Sequence, residues 1–223
     1  MSLNIAMDGP VGAGKSSVAD AVAAKLGILH LDTGAMYRAL GLTALRRGID
    51  PADEAAVTAL SDGLDITVRL ERGGQRTITE GEDVTGLIRT PEVSMAASTV
   101  SRYARVRQRM VRRQQELAAK TDMILDGRDI CATVLPHAEV KVYLTASPEV
   151  RARRRWKELR EKGNEDDFEK VLEEVLKRDE QDMNRKVEPL RPTPDAVIVD
   201  TSEMTFEESV DAIVRLAEEK RHG

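Results

Sequence analysis

Two periodicities alternate along this chain. Short apolar runs, the signature of buried parallel strands, are separated by longer stretches whose apolar residues recur every three or four positions. Leu3-Asn4-Ile5-Ala6-Met7 is the first such run, and Val18, Ala19, Val22, Ala23 and Leu26 then fall at helical spacing. Gly27 and Ile28-Leu29-His30-Leu31 give a second strand. Asp32-Thr33-Gly34 caps a helix that runs through Met36, Leu40 and Leu45 toward Arg47, stopped by Gly48-Ile49-Asp50-Pro51. Met123-Ile124-Leu125-Asp126, Val140-Lys141-Val142-Tyr143-Leu144 and Ala196-Val197-Ile198-Val199-Asp200 read as the later strands. Helices are predicted over 91–101, 104–120, 148–162 and 167–185, with a break at Gly163-Asn164. Thr205-Phe206-Glu207-Glu208 is a capping box that opens the last helix.

Between about Gly63 and Thr90 the period changes to two. Asp65-Ile66-Thr67-Val68-Arg69-Leu70 and Arg76-Thr77-Ile78-Thr79 read as the arms of an antiparallel hairpin, turned by Glu71-Arg72-Gly73-Gly74-Gln75, and Glu80 to Thr90 as a charged loop. The pattern predicts an α/β protein: a parallel sheet flanked by helices, with an inserted antiparallel subdomain. A length of 223 residues suits a single domain. Its core is expected over 1–62, 91–147 and 186–223, with the insert near 63–90 and a helical, arginine-rich segment near 148–185. Asp8, Asp32, Asp126 and Asp200 fall at predicted strand ends, the edge where such sheets bind ligands.

Composition narrows the function classes. Aromatics make up 3% of the chain and the net charge is −5, which argues against a protein that stacks on or wraps nucleic acid. Cys131 is the single cysteine, so no internal disulfide forms, in keeping with a reducing compartment. His30, His137 and His222 show no metal-ligand spacing, and no apolar run reaches the length of a membrane span. A cytoplasmic protein without a membrane partner is expected.

The chemistry begins at Gly9-Pro10-Val11-Gly12-Ala13-Gly14-Lys15-Ser16, a complete G-x-x-x-x-G-K-[ST] between a strand and a helix. Glycines let the backbone turn tightly so that its N–H groups converge on a phosphate, and the helix N-terminus adds partial positive charge. Lys15 brings a mobile full charge, Ser16 a hydroxyl for Mg²⁺, and Ser17 extends the set along the first turn. A P-loop alone fits a switch GTPase, a motor ATPase or a small-molecule kinase. The chain has no N-K-x-D for guanine. Arginines punctuate its loops and helix starts at Arg38, Arg107 and Arg128, with a denser set at Arg151, Arg154, Arg155, Arg178 and Arg185. A helical pair carrying such residues suits a lid that neutralises charge on a phosphoryl group in transfer and keeps water out.

These stretches together resemble a family. Asp8-Gly9-Pro10 with the P-loop, Asp32-Thr33-Gly34-Ala35-Met36-Tyr37-Arg38, Glu80-Gly81-Glu82-Asp83-Val84, Ile88-Arg89-Thr90, Ala96-Ala97-Ser98, Arg105-Val106-Arg107, Asp126-Gly127-Arg128-Asp129 and Arg178-Asp179-Glu180-Gln181-Asp182-Met183-Asn184-Arg185 are similar, in order, to the bacterial cytidylate kinases. These are nucleoside monophosphate kinases of adenylate-kinase-like fold. The resemblance implies transfer of the γ-phosphate of ATP to CMP or dCMP, with Mg²⁺, by a monomer. It implies that the P-loop residues Gly9 to Ser17 and Arg151 bind ATP, with Arg151 over the adenine. It implies that Arg38 and Arg128 clamp the CMP phosphate, that Ser98, Arg107 and Asp129 read the cytosine edge, and that Thr33, Arg178 and Asp182 lie near the sugar. Lys15 would hold the ATP β- and γ-phosphates, and Arg155, Arg178 and Arg185 would surround the phosphoryl in flight. A kinase of another acceptor, such as UMP, AMP or shikimate, and a nucleotide-binding regulator or RNA-associated protein are the competing readings.

Overall fold

The computed structural model describes residues 3–71, 74–161 and 163–222. The apolar runs form a five-stranded parallel sheet in the order β2-β6-β1-β7-β8. These strands are β1 (Asn4–Asp8), β2 (Leu29–Asp32), β6 (Met123–Gly127), β7 (Val140–Thr145) and β8 (Val197–Asp200). Side chains alternate faces along a strand, and the core divides accordingly. Ile5, Met7, Ile124, Val142 and Leu144 pack with Val18, Val22, Val210 and Ile213 on one side of the sheet. Leu31, Met123 and Leu125 pack with Met36, Leu40, Val100, Val106 and Met110 on the other. Helices α1 (Lys15–Leu26) and α8 (Phe206–His222) therefore cover one face. Helices α2 (Thr33–Arg46), α4 (Pro91–Val100) and α5 (Ala104–Ala118) cover the other.

Helix starts follow their capping residues. Asp32 accepts from the Ala35 N–H at 3.1 Å, Thr90 from Val93 at 3.2 Å and Asp167 from Lys170 at 2.8 Å. Thr205 and Glu208 close the expected capping box, at 2.8 and 3.1 Å. Helix α3 (Glu54–Gly63) is absent from the sequence-based reading, although Asp53 caps it through the Ala56 N–H at 3.0 Å. Its buried face is short, only Val57, Leu60 and Ser61, and gives little periodicity to detect.

The expected insert is a three-stranded antiparallel sheet of β3 (Ile66–Glu71), β4 (Gly74–Thr79) and β5 (Glu82–Asp83). Arg72 and Gly73 of the predicted turn lie outside the described residues. Strand β5 occupies part of the predicted charged loop, where Asp83 also accepts from Arg76 at 2.9 Å. Helices α6 (Pro148–Glu161) and α7 (Phe168–Met183) pack against each other as a hairpin. Helix α7 ends at Met183 with Asn184 as its C-cap, ahead of Arg185, to which the predicted helix extends.

Two constraints position the cleft. In register, Asp32 lies beside Asp126, and Asp8 beside both Gly127 and Tyr143, so three aspartates line up at the carboxyl edge. Neighbours β1 and β6 also send their following connections to opposite sides of the sheet, which opens a crevice between them. Asp8 itself faces inward. It is buried and accepts from the N–H groups of Ile130 and Cys131 at 2.8 and 2.9 Å, anchoring a π-helical turn over Ile130–Val134. Asp200 caps a local turn through Ser202 at 2.6 Å and takes no part in the cleft.

Gly9 fixes the P-loop against the sheet. Its φ is +153°, and a Cβ there would stand 2.0 Å from the Leu144 carbonyl oxygen. Gly9→Ala is expected to lower the unfolding free energy by about 3 kcal/mol, measured by urea denaturation. A loss under about 1 kcal/mol would show that β1 and β7 can separate freely there.

Candidate active site

The cleft runs along the carboxyl edge of the parallel sheet and has a volume of about 400 Å³. One end is the P-loop. Val11, Gly12, Gly14, Lys15, Ser16 and Ser17 line it, whereas Gly9, Pro10 and Ala13 are buried and do not. The Lys15 ammonium donates to the Pro10 carbonyl at 2.8 Å. Its burial and the nearby Arg128 push its pKa down to about 7, against the pull of Asp126, Asp182 and Asp8. A buried ammonium so poised gains much from a dianionic ligand. The Ser16 hydroxyl donates to Asp126 Oδ2 at 2.9 Å. Burial alone would raise the Asp126 pKa, but His30 and Lys15 hold it below the ordinary carboxylate value.

The other end lies between α2, α4 and α5. Thr33 donates to the Asp126 carbonyl at 2.7 Å, and Arg38 to Asp32 at 2.5 Å, with Arg89 at 3.4 Å from the same carboxylate. Gln75 of the insert bonds both backbone groups of Asp32, at 2.8 and 3.2 Å, and so ties the small sheet to the start of α2. Arg107 pairs with Asp129, donates to the Ser101 carbonyl at 3.0 Å and lies 5.9 Å from the Tyr37 ring centroid. Burial raises the Tyr37 pKa to about 12, so its hydroxyl stays protonated.

Between the two ends Asp182 holds two arginines, Arg128 at 2.8 Å and Arg178 at 3.3 Å. Arg185 Nη2 lies 3.8 Å from Asp129. Desolvation depresses the pKa of both Arg178 and Arg185. Three donors facing this region, Arg38 Nε, Arg107 Nε and Arg185 Nη2, are buried without a hydrogen-bond partner. Such donors are costly unless an anion or polar ligand meets them.

Fifteen of the sequence-predicted site residues line this one cleft: those six of the P-loop and Thr33, Arg38, Arg107, Arg128, Asp129, Arg155, Arg178, Asp182 and Arg185. Three expectations need correction. Arg151 does not present an open face to a base. Its guanidinium is buried, paired twice with Asp179 at 2.6 and 3.1 Å and bonded to the Val11 carbonyl at 3.0 Å, where it braces the P-loop from below. Arg154 turns to Thr201, at 2.8 and 3.0 Å. Ser98 is buried in α4 and does not line the cleft; Ser94, Ala97 and Ser101 do. Tyr37, Arg89 and Glu158 also line it without having been singled out. Tyr37 and Arg89 lie within the family-like stretches, so their chemistry was visible but their direction was not.

A family model described as cytidylate kinase matches residues 5–219. Curated relatives include the cytidylate kinase of Caldicellulosiruptor bescii, 47% identical with 96% of this chain and 95% of the relative covered. That of Symbiobacterium thermophilum is 49% identical over the same shares, and that of Bacillus subtilis 44% identical over 98% and 97%. Among solved structures, an uncharacterized protein from Eubacterium ventriosum superposes with TM-score 0.55 at 10% identity, covering 97% of this chain and 99% of that one. An unliganded sugar kinase from a Janibacter species gives TM-score 0.50 at 15% identity, covering 98% and 95%. At such identities these two structures speak for the fold alone.

The Arg151–Asp179 pair generates a prediction. Removing one partner of a buried ion pair costs about 3–5 kcal/mol because the other is left charged and unpaired. Arg151→Met and Asp179→Leu, each alone, are expected to lose about 3 kcal/mol of unfolding free energy, and Arg151→Met/Asp179→Leu to regain part of it. Additive losses in the double-mutant cycle would show that the two side chains do not act as a pair.

Proposed function

The chain belongs to the cytidylate kinase family, and we propose that it transfers the γ-phosphate of ATP to CMP or dCMP, giving ADP and the nucleoside diphosphate. The observation that carries this reading is one cleft with a P-loop at one end, a buried Arg–Asp pair at the other and, among its arginines, buried donors without a hydrogen-bond partner.

Each group has a task. The P-loop N–H groups and Lys15 hold the ATP phosphates. Arg38 and Arg128 take the CMP phosphate, each now held by a carboxylate that the anion competes with. Thr33, Arg178 and Asp182 serve the sugar. Arg155, Arg178 and Arg185 surround the transferred phosphoryl, whose charge is spread over its equatorial oxygens. Alignment and charge neutralisation supply the acceleration, and no strong base is needed. The α6–α7 hairpin acts as the lid and the small antiparallel sheet as the monophosphate-binding insert. The working unit is a monomer.

At the base, cytosine offers an amino donor beside two acceptors. Asp129 accepts from the amino group and Arg107 donates to the acceptor edge, so uracil would set a carbonyl against a buried carboxylate. Leaving such a group unpaired costs about 1–3 kcal/mol, more when it is charged. Ser98 is given no part in this, because it stands outside the cleft. Arg151 serves ATP indirectly, through the loop it braces.

The site also suits Mg²⁺. Mg²⁺ keeps several of its waters and binds mainly to substrate phosphates, so it asks for few protein ligands. Ser16 fits this role, since a hydroxyl that donates to Asp126 retains oxygen lone pairs for a cation. When bound, the ion neutralises charge on the β- and γ-phosphates. No helix among the described residues is long and apolar enough to cross a membrane, and the reading keeps the enzyme in the cytoplasm.

An ADP-release assay with Mg-ATP and separate CMP, dCMP, UMP, AMP and GMP tests the reading. Turnover confined largely to CMP and dCMP is expected, and preference for another acceptor would overturn the assignment of the base pocket. Asp129→Ala should reduce the CMP-over-UMP ratio in kcat/KM by about 10- to 100-fold. Lys15→Ala should lower kcat by about 100-fold or more with little change in melting temperature, and a normal rate would remove Lys15 from the phosphate site.

A further inference from the structure

His30 lies outside the cleft lining, yet it touches the cleft's central carboxylate. It belongs to β2, and its imidazole lies between two carboxylates. Nδ1 is 2.6 Å from Asp20 of α1, and Nε2 is 2.7 Å from Asp126 of β6. The His30 and Asp126 side chains are only 8% and 5% exposed, whereas Asp20 is 61% exposed. A carboxylate only accepts, so both contacts are hydrogen bonds only if both ring nitrogens carry protons. Burial works against that cation, but Asp126 and Asp20 outweigh it and hold the His30 pKa near 10.

The chain of contacts continues into the cleft. Asp126 receives His30 on Oδ1 and the Ser16 hydroxyl on Oδ2, so both of its oxygens have a fixed donor. Neither the Asp126 carboxylate nor the Ser16 hydroxyl can rotate without breaking one of these bonds. We propose that His30 is a positioning residue: clamped by Asp20, it fixes the Asp126 carboxylate and, through it, the Ser16 hydroxyl toward a magnesium–triphosphate ligand. This inference rests on the kinase reading above and adds to it a residue that never meets substrate. Second-layer partners of metal-site groups typically matter by about 10- to 100-fold in metal affinity.

The test uses two neutral substitutions, so that loss of the imidazolium charge is common to both. His30→Gln places an N–H donor near the position of Nε2, facing Asp126. His30→Asn places one near Nδ1, facing Asp20. The probe is an ATP analogue with a β,γ-methylene bridge, its affinity measured by calorimetry with Mg²⁺ and again with EDTA, alongside melting temperatures. The expected result is that His30→Asn loses about 10-fold or more of the magnesium enhancement while its affinity in EDTA stays within about twofold of the parent. His30→Gln should retain most of the enhancement. Asp20→Asn, altered only at the exposed end of the relay, should show a smaller loss of the same kind.

Equal magnesium enhancement in the parent and both His30 variants would overturn the proposal. So would an equal loss of affinity with and without the ion, which marks general damage to the P-loop. The acceptor assay separates the two readings. A parent enzyme that turns over CMP while His30→Asn keeps its full magnesium enhancement retires only this inference. A parent that binds no analogue at all retires both.

Discussion

Guanidinium groups placed for a phosphate must also survive without one. Removing an arginine from water is costly, and several arginines in one cleft repel each other as well. In this structure four of the cleft arginines are held by aspartates: Arg38 by Asp32, Arg107 by Asp129, and Arg128 and Arg178 by Asp182. The pairing keeps the empty cleft folded and sets the terms on which a ligand enters. A phosphate gains affinity only by the amount that its bonds exceed those of the carboxylate it competes with. The binding energy is thereby directed toward the ligand that supplies the most charge in the right places, which is the condition for selective stabilisation of a transferring phosphoryl group.

The same economy of buried charge governs the P-loop. Its backbone lies against Leu144 with no room for a Cβ at Gly9, and Arg151 bonds the Val11 carbonyl from beneath. Arg151 belongs to the first turn of α6, and its partner Asp179 belongs to α7, one residue from Arg178. The loop that carries ATP is therefore mechanically joined to both helices of the proposed lid. Lid position and P-loop shape are not independent, because the bidentate Arg151–Asp179 pair has to move with the one or distort the other.

How much of this was readable from the chain depends on the range of the interaction. The P-loop, the parallel strands and the capped helices are local patterns, and they were found close to where they stand. The insert's hairpin was legible from its alternation, while β5 was not, because two residues carry no period. Site residues followed the same rule. Arginine positions were visible, but Arg128 and Asp182 are 54 residues apart, so no spacing announces their bond. Arg151 over the adenine and Ser98 at the cytosine edge are expectations that the family resemblance carries, not ones that any local pattern of the chain supplies. Which way each side chain points is decided by Asp179 in one case and by the rotation of α4 in the other.

Position 30 shows the limit most clearly. A histidine at the middle of an apolar run looks like an exposed-face residue of a half-buried strand. Its significance comes from register, since β2 beside β6 sets His30 next to Ile124 and brings its ring within reach of Asp126, two positions on. Helix α1, following the P-loop, then delivers Asp20 to the other nitrogen. The carboxylate that faces the phosphate end of the cleft is thus oriented by β2 and by α1, the helix that the P-loop opens. A sheet whose register slipped by one residue would turn His30 to the opposite face and leave Asp126 Oδ1 without its donor. Correct strand pairing and a correctly aimed phosphate site are, at this point, one requirement.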